Sequence, residues 1–363
     1  MKALWNKFTG WLNTENHLLW VSIIALMVIG LISVYFVGAY ESVRFGWYPS
    51  FFFNRYWPYV LVGFLFMLGC SRLSKKAIIR ISWVLLILGM FLMLLTWIHP
   101  TLIAGSARYV FLFGRATDPF LLTLPAYIVL MSHWLSKERT KTFWVTTGIT
   151  LLTLFIVLTA FMAPYVFMTL VYSFIFIFMT FKARKNMPGL YKVGVFGLIA
   201  SVVLIVLTVI YMPHVNARLF QIVNGYPEHT QVWYSVNAIK HSTFMGNTPE
   251  SLRMLSTLPE SSTDFMFTGI VAKFGILMGL LVLALYGFMV KGLTRIIHTT
   301  KDKFKELLAT GTLGLLMLYV VSSVFTAFGI LAHSSILPFV SLSGLGFLTW
   351  SVLFGFVLSG KRN

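Results

Sequence analysis

Apolar residues in this chain come in ten blocks, most of about 18 to 26 residues, each long enough as a helix to cross a hydrocarbon core of roughly 30 Å. They are read at 18–39, 56–73, 79–98, 119–136, 142–161, 164–181, 191–213, 265–290, 307–328 and 337–359. A segment with no water around it must satisfy its backbone N–H and C=O groups within itself, so the pattern predicts an all-α, polytopic membrane protein. Composition agrees, with 58% hydrophobic and 10% charged residues over 363 positions. The first block is too long for a signal peptide's apolar region and lacks a small-residue cleavage site, so it is expected to stay as a span. Residues 142–181 need a further step. One helix of that length would measure about 60 Å, twice the core, so the chain is expected to fold back near Pro164 in "FMAPY".

The net charge of +18 could suggest nucleic acid, but the lysines and arginines sit in short loops between the blocks and form no basic domain. Ten crossings collect 20 of the 28 Lys and Arg on one face, from Lys2 and Lys7 through "SKERTK" and "FKARKN" to Lys361 and Arg362. The positive-inside rule then places both termini in the cytoplasm. The single Cys70 excludes an intramolecular disulfide and reads as a small buried hydrophobe. No repeat, linker or low-complexity stretch marks a second domain, so residues 1–363 are expected to form one membrane domain.

The opposite face carries the longest loop, about 213–264, whose 52 residues hold four of the ten acidic residues. Phe220, Trp233, Tyr234 and Phe244 among its glycines and prolines argue for order, although no strong helix or strand period is visible. Its ionisable groups include His214, Arg218, His229, Lys240, His241, Arg253, Glu260 and Asp264, a mixture suited to an anionic ligand beside a carboxylate. Asp264 closes the loop where the eighth block begins. Spacing alone makes it an N-cap of that helix; a carboxylate held at a membrane edge can equally be a general base or hold a cation. Lys273 lies inside the same block, where an ammonium either snorkels to the interface or serves the site. No Walker loop, zinc-peptidase spacing or nucleophile elbow is present, and the outer histidines, His333 included, have no helical ligand spacing.

Several stretches, in order, resemble the SEDS (shape, elongation, division and sporulation) family of peptidoglycan glycosyltransferases, closest to its division-type members. They are "IGLISVYFVGAY" with "FFFNRYWPY" and its Arg55, "GSARYVFLFG" with Arg108, "TQVWYSVNAIK" with "LPESSTDFMF", and "LPFVSLSG" with Ser341. The resemblance implies a polymerase that joins the sugars of lipid II, with undecaprenyl pyrophosphate as leaving group. It aligns Asp264 with the family's essential aspartate, a base or the ligand of a divalent cation, magnesium or manganese; no organic cofactor is expected. Arg108, Lys240 and Arg253 are the candidates for the pyrophosphate, and Arg55, Glu260, Lys273 and Ser341 complete the expected substrate site. The implied partners are a class B penicillin-binding protein acting as transpeptidase, other division membrane proteins and membrane lipids, in the bacterial cytoplasmic membrane.

The chain also departs from the family pattern. Leu121 and Leu124 stand at a glutamate and a lysine, Tyr165 and Phe167 at an aspartate and a glycine, Ala272 and Lys273 at paired glutamates, and His333 at a lysine. These departures keep a second reading open, a non-catalytic scaffold that still recruits the transpeptidase. A lipid carrier or transporter is the third; it would show inverted repeats, which are not evident. The orientation has its own check. A cysteine placed at Asn224 should react with an impermeant reagent on intact spheroplasts and one at Thr299 should not; labelling of both or neither breaks the ten-span arrangement.

Overall fold

The first apolar block becomes α1, His17–Arg44, a helix of 28 residues without proline. At 1.5 Å per residue it is about 42 Å long, enough to cross a hydrocarbon core of roughly 30 Å. Leu19, Ile23, Leu26 and Val34 are buried while Val21, Val28 and Tyr35 are exposed, as in a helix that packs on one side and meets lipid on the other. The computed structural model describes residues 17–98, 101–103, 106–112, 114–137, 142–163, 165–184, 190–211, 217, 220–222, 224–331 and 335–359. Pro164, His214, Arg218, His333 and the basic residues of both termini lie outside them.

After α1 come α2 (Phe51–Cys70), α3 (Lys75–Ile98), strands β1 (Thr101–Ile103), β2 (Ser106–Leu112) and β3 (Arg115–Thr117), then α4 (Pro119–Leu135), α5 (Thr142–Met162), α6 (Val166–Ala183) and α7 (Leu190–Tyr211). They are followed by α8 (Gln231–Lys240), α9 (Pro249–Thr257), α10 (Met266–Phe274), α11 (Ile276–Thr299), α12 (Lys303–Ala327) and α13 (Gly344–Leu358). Among the described residues, α1, α2, α3, α5, α6, α11 and α12 are long and apolar enough to cross a membrane; α4 and α13 are shorter apolar helices. The strands form an antiparallel sheet in the order β1-β2-β3, a small addition to the all-α expectation. The chain divides into two compact units: residues 1–62, 220–296 and 319–347, and residues 63–219, 297–318 and 348–363.

In the first unit three expectations are revised. The outer loop is not without helices, because Thr230 caps α8 and a capping box between Thr248 and Ser251 starts α9 at Pro249. The eighth block is not one helix. Gly275, at φ +91° and ψ 169°, ends α10 and α11 begins one residue later. Two amides near the start of α11 find partners outside the helix: Ile276 donates to Thr243 O at 3.0 Å and Leu277 to Phe244 O at 2.9 Å. The last block is helical only from Gly344, and its approach at 337–343 is a turn in which Phe339 has φ +65°. That turn lies against α1, where a Cβ on Gly30 would come within 2.6 Å of Phe339 O. Tyr56 and Tyr286 donate their buried hydroxyls to Phe339 O at 3.3 Å and to Pro338 O at 2.6 Å.

In the second unit the helices are joined by buried hydroxyls. Thr123 and Tyr172 share a hydrogen bond at 2.6 Å, Tyr172 also donates to Phe120 O at 2.7 Å, and Tyr127 meets Thr153 at 2.7 Å. Leu121 and Leu124, the apolar replacements noted in the sequence, are both buried here.

Gly275 supplies a test of the broken helix. A Cβ there would stand 2.4 Å from the Gly246 amide nitrogen, in a backbone region open essentially to glycine alone. Gly275→Ala is expected to cost about 3 kcal/mol or more, read as a lowered thermal midpoint of the detergent-solubilised protein. Gly148→Ala, with open space around its Cβ inside α5, should be neutral or stabilising by up to about 1 kcal/mol.

Candidate functional site

Asp264 stands on the turn 259–265, between α9 and α10. The cap of α10 is Phe265, at φ −102° and ψ 27°, so the N-cap reading of Asp264 is corrected: the carboxylate precedes the cap and is half-buried. The turn is gripped from two sides. On its amide side is Glu41, in the last turn of α1 and 5% exposed. Its Oε1 accepts from the Glu260 amide at 3.1 Å, its Oε2 from the Ser262 amide at 3.1 Å, and the Ser262 hydroxyl also donates to Oε2. On its carbonyl side, the Leu342 amide donates to Ser262 O at 2.8 Å and the Ser341 hydroxyl to Thr263 O at 2.7 Å. Ser341 accepts in turn from the Leu337 amide at 2.9 Å. Glu260 takes φ +56°, a left-handed conformation that side chains other than glycine adopt only when held.

Apolar packing completes the support. Val37 of α1, Ala238 of α8, Met254 and Leu255 of α9 and Ala272 of α10 form one buried cluster; Val232, Leu258 and Phe265 form a second. The structure thus brings Asp264, Glu260 and Ser341 together. Glu41 and Ser262 were not singled out from sequence, although a lone acid two residues past the expected end of the first span was the available signal.

The remaining candidates of this unit are placed apart from the turn's contacts. The ammonium of Lys273 donates to the Tyr40 hydroxyl at 3.0 Å and lies 5.2 Å and 5.9 Å from the Tyr40 and Phe36 ring centroids. Arg253 forms a surface ion pair with Glu250 at 2.8 Å. Lys240 is exposed in the last turn of α8, where a cation complements the helix dipole. Arg55 is exposed on α2 and stacks over Phe51 at 5.0 Å.

Arg108 belongs to the second unit, on β2. Its guanidinium lies 4.2 Å from the Tyr165 ring centroid and 4.8 Å from that of Tyr109, whose hydroxyl accepts from it at 2.6 Å. Burial alone would lower its pKa, but Tyr165, Tyr109 and Asp118 hold it above the ordinary arginine value. Asp118 is the N-cap of α4 and accepts from the Phe120 and Leu121 amides. Burial raises its carboxyl above the usual aspartate range, while Arg108, the Tyr165 hydroxyl and those amides favour the anion. Among the described residues, the buried Nε of Arg108 has no hydrogen-bond partner. Tyr165, which stands where the resemblance expects an aspartate, therefore both stacks on the cation and bonds its counter-ion. Tyr165→Phe keeps the ring and removes the hydroxyl, and should lower stability by about 1–3 kcal/mol in thermal unfolding, since a buried carboxylate loses a donor.

Comparison with known proteins follows the same lines. The probable peptidoglycan glycosyltransferase FtsW of Borreliella burgdorferi is 24% identical over 356 residues, covering 94% of this chain and 95% of that protein. That of Nitrosomonas europaea is 27% identical over 364 residues, covering 95% and 92%. Among solved structures, a chain of a peptidoglycan synthase complex that coordinates polymerization and crosslinking superposes with a TM-score of 0.74 at 19% identity, covering 94% of this chain and 96% of that one. The rod shape determining protein RodA of Thermus thermophilus gives 0.68 at 18% identity, covering 96% and 97%. The cell cycle protein family of FtsW, RodA and SpoVE matches residues 16–363, and the chain belongs to that family of multi-pass membrane proteins.

Proposed function

We propose that the protein is a division-type peptidoglycan glycosyltransferase that polymerises lipid II, with Asp264 as its general base. The observation that carries this reading is a half-buried carboxylate on a turn fixed by buried hydrogen bonds from both sides. Asp264 takes the proton of the acceptor sugar's hydroxyl; that oxygen bonds to the donor's anomeric carbon as the bond to pyrophosphate breaks, and the lipid pyrophosphate leaves with the electron pair. A fixed base needs no rearrangement when charge develops.

Arg108 and Lys240 are the groups proposed to meet the pyrophosphate. The guanidinium of Arg108 carries its charge between two tyrosine rings, and Lys240 is exposed at a helix end. Arg253 is weaker in this role because Glu250 already pairs with it. Among the described residues no three His, Cys, Asp or Glu side chains form a metal cage. Magnesium commonly uses one or two carboxylates together with substrate phosphates, so Asp264 is the residue that would hold such an ion. The ion would supply neutralisation of the leaving pyrophosphate. The charge asymmetry supports cytoplasmic termini and the cytoplasmic membrane, with Asp264 on the outer face beside a membrane-anchored transpeptidase as partner.

The scaffold reading draws on Leu121 and Leu124, buried apolar groups at positions where the family resemblance expects charge. One assay separates the two. With labelled lipid II and the transpeptidase present, the wild type should give glycan polymer and Asp264→Asn should reduce it about a hundredfold or more at unchanged membrane level. Near-normal polymer from Asp264→Asn removes the base, and none from the wild type favours the scaffold.

A further inference from the structure

Glu41 is a carboxylate in a costly place. It is buried, and it sits at the C-terminal end of a helix, whose dipole disfavours an anion. What offsets this is a set of three donors, the Glu260 amide, the Ser262 amide and the Ser262 hydroxyl, all from the turn that carries Asp264. A carboxylate can accept at both oxygens at once, whereas an amide side chain offers one acceptor and one donor. Both oxygens are in use here, so the fit is specific to an acid. The backbone carbonyls of Ser262 and of its neighbour Thr263, whose amide donates to Glu260 O, are held by Leu342 and Ser341. Asp264 is therefore the first residue beyond a pair whose peptide groups are bonded on both faces.

The direction of the coupling also follows. Helix α1 is a long rigid rod and Glu41 is close to its end, so the carboxylate is the fixed member and the turn is the adjustable one. Glu260, at φ +56°, would relax toward an ordinary conformation if its amide were released. A shift of that kind displaces the backbone just before Asp264, and a misplacement of about 1 Å at a reacting group can cost about a hundredfold in rate.

We propose that Glu41 is a positioning residue for the glycosyltransfer: it fixes the turn 260–262 and thereby the carboxylate of Asp264, without touching substrate itself. This rests on the polymerase reading given above. The test uses the full-length protein in detergent or nanodiscs and compares wild type, Glu41→Gln, Glu41→Asp and Ser262→Ala by two measurements. The first is amide hydrogen exchange of the segment 259–265, which needs no activity. Glu41→Gln should accelerate exchange there while leaving α3 and α6 unchanged, and Ser262→Ala, which keeps both amide bonds, should do so less. The second is polymerisation at saturating lipid II, set against lipid II binding. Glu41→Gln should lower kcat about tenfold or more with binding within about twofold of wild type. Glu41→Asp, whose shorter side chain still accepts at both oxygens, should recover part of the loss. If Glu41→Gln does not accumulate, Ser262→Ala carries the test: a lowered kcat at unchanged binding and unchanged thermal midpoint is expected. Unaltered exchange in the turn, or a loosened turn with unaltered kcat, or equal losses in kcat and binding, overturns the assignment. Failure of the polymerase reading shows separately, as a wild type that makes no polymer in an assay where the exchange measurement still reports on Glu41.

Discussion

A buried carboxylate must be matched by hydrogen-bond donors, and the Glu260 amide, the Ser262 amide and the Ser262 hydroxyl that match Glu41 all come from one turn. That single requirement ties the end of α1 to the start of α10. The turn cannot slide along α1 without stranding an anion in a site of 5% exposure, and it cannot rotate without breaking the bonds its carbonyls make to Ser341 and Leu342. Asp264 inherits this fixity while its own side chain stays half-exposed.

The same economy of hydrogen bonds explains how so much irregular backbone is kept in this membrane protein. Non-helical chain at membrane depth is tolerated where protein covers it and other groups satisfy its N–H and C=O. At the Gly275 break the acceptors are the carbonyls of Thr243 and Phe244, and at the turn before α13 the donors are the hydroxyls of Tyr56 and Tyr286. Glycine is required at both close approaches, Gly275 against Gly246 and Gly30 against Phe339, because backbone meets backbone there. Both irregular segments follow the 259–265 turn in the sequence, and the second supplies its clamp.

In the second unit charge is handled differently. Arg108 is held between two tyrosine rings and balanced by Asp118, and Tyr165 serves both members of the pair. Leu121 and Leu124 turn the neighbouring positions of α4 into apolar packing, with Thr123 and Tyr172 as the polar contact among them. The hairpin's cation is thus stacked and paired before any ligand is considered.

Helices stand at all ten blocks that hydrophobic length alone marks out, and Asp264 was legible as a carboxylate at the edge of the eighth, because crossing lipid is a local demand that each segment meets by itself. The halving of that block at Gly275 was not legible: a glycine in an apolar run reads the same whether or not residues 243 and 244 lie beside it to take over its neighbours' hydrogen bonds. Glu41 was passed over for the same reason, since its meaning depends on amides 219 and 221 positions away in the chain. Lys273 read as a choice between lipid interface and pocket, and its hydrogen bond to Tyr40, 233 positions away in the chain, was not legible. Periodicity and charge determined which stretches of this chain are helical and apolar, because those are properties of consecutive residues. Which carboxylate is held, by what and how firmly was decided by tertiary structure, because a hydrogen bond between distant segments leaves no local mark on either one.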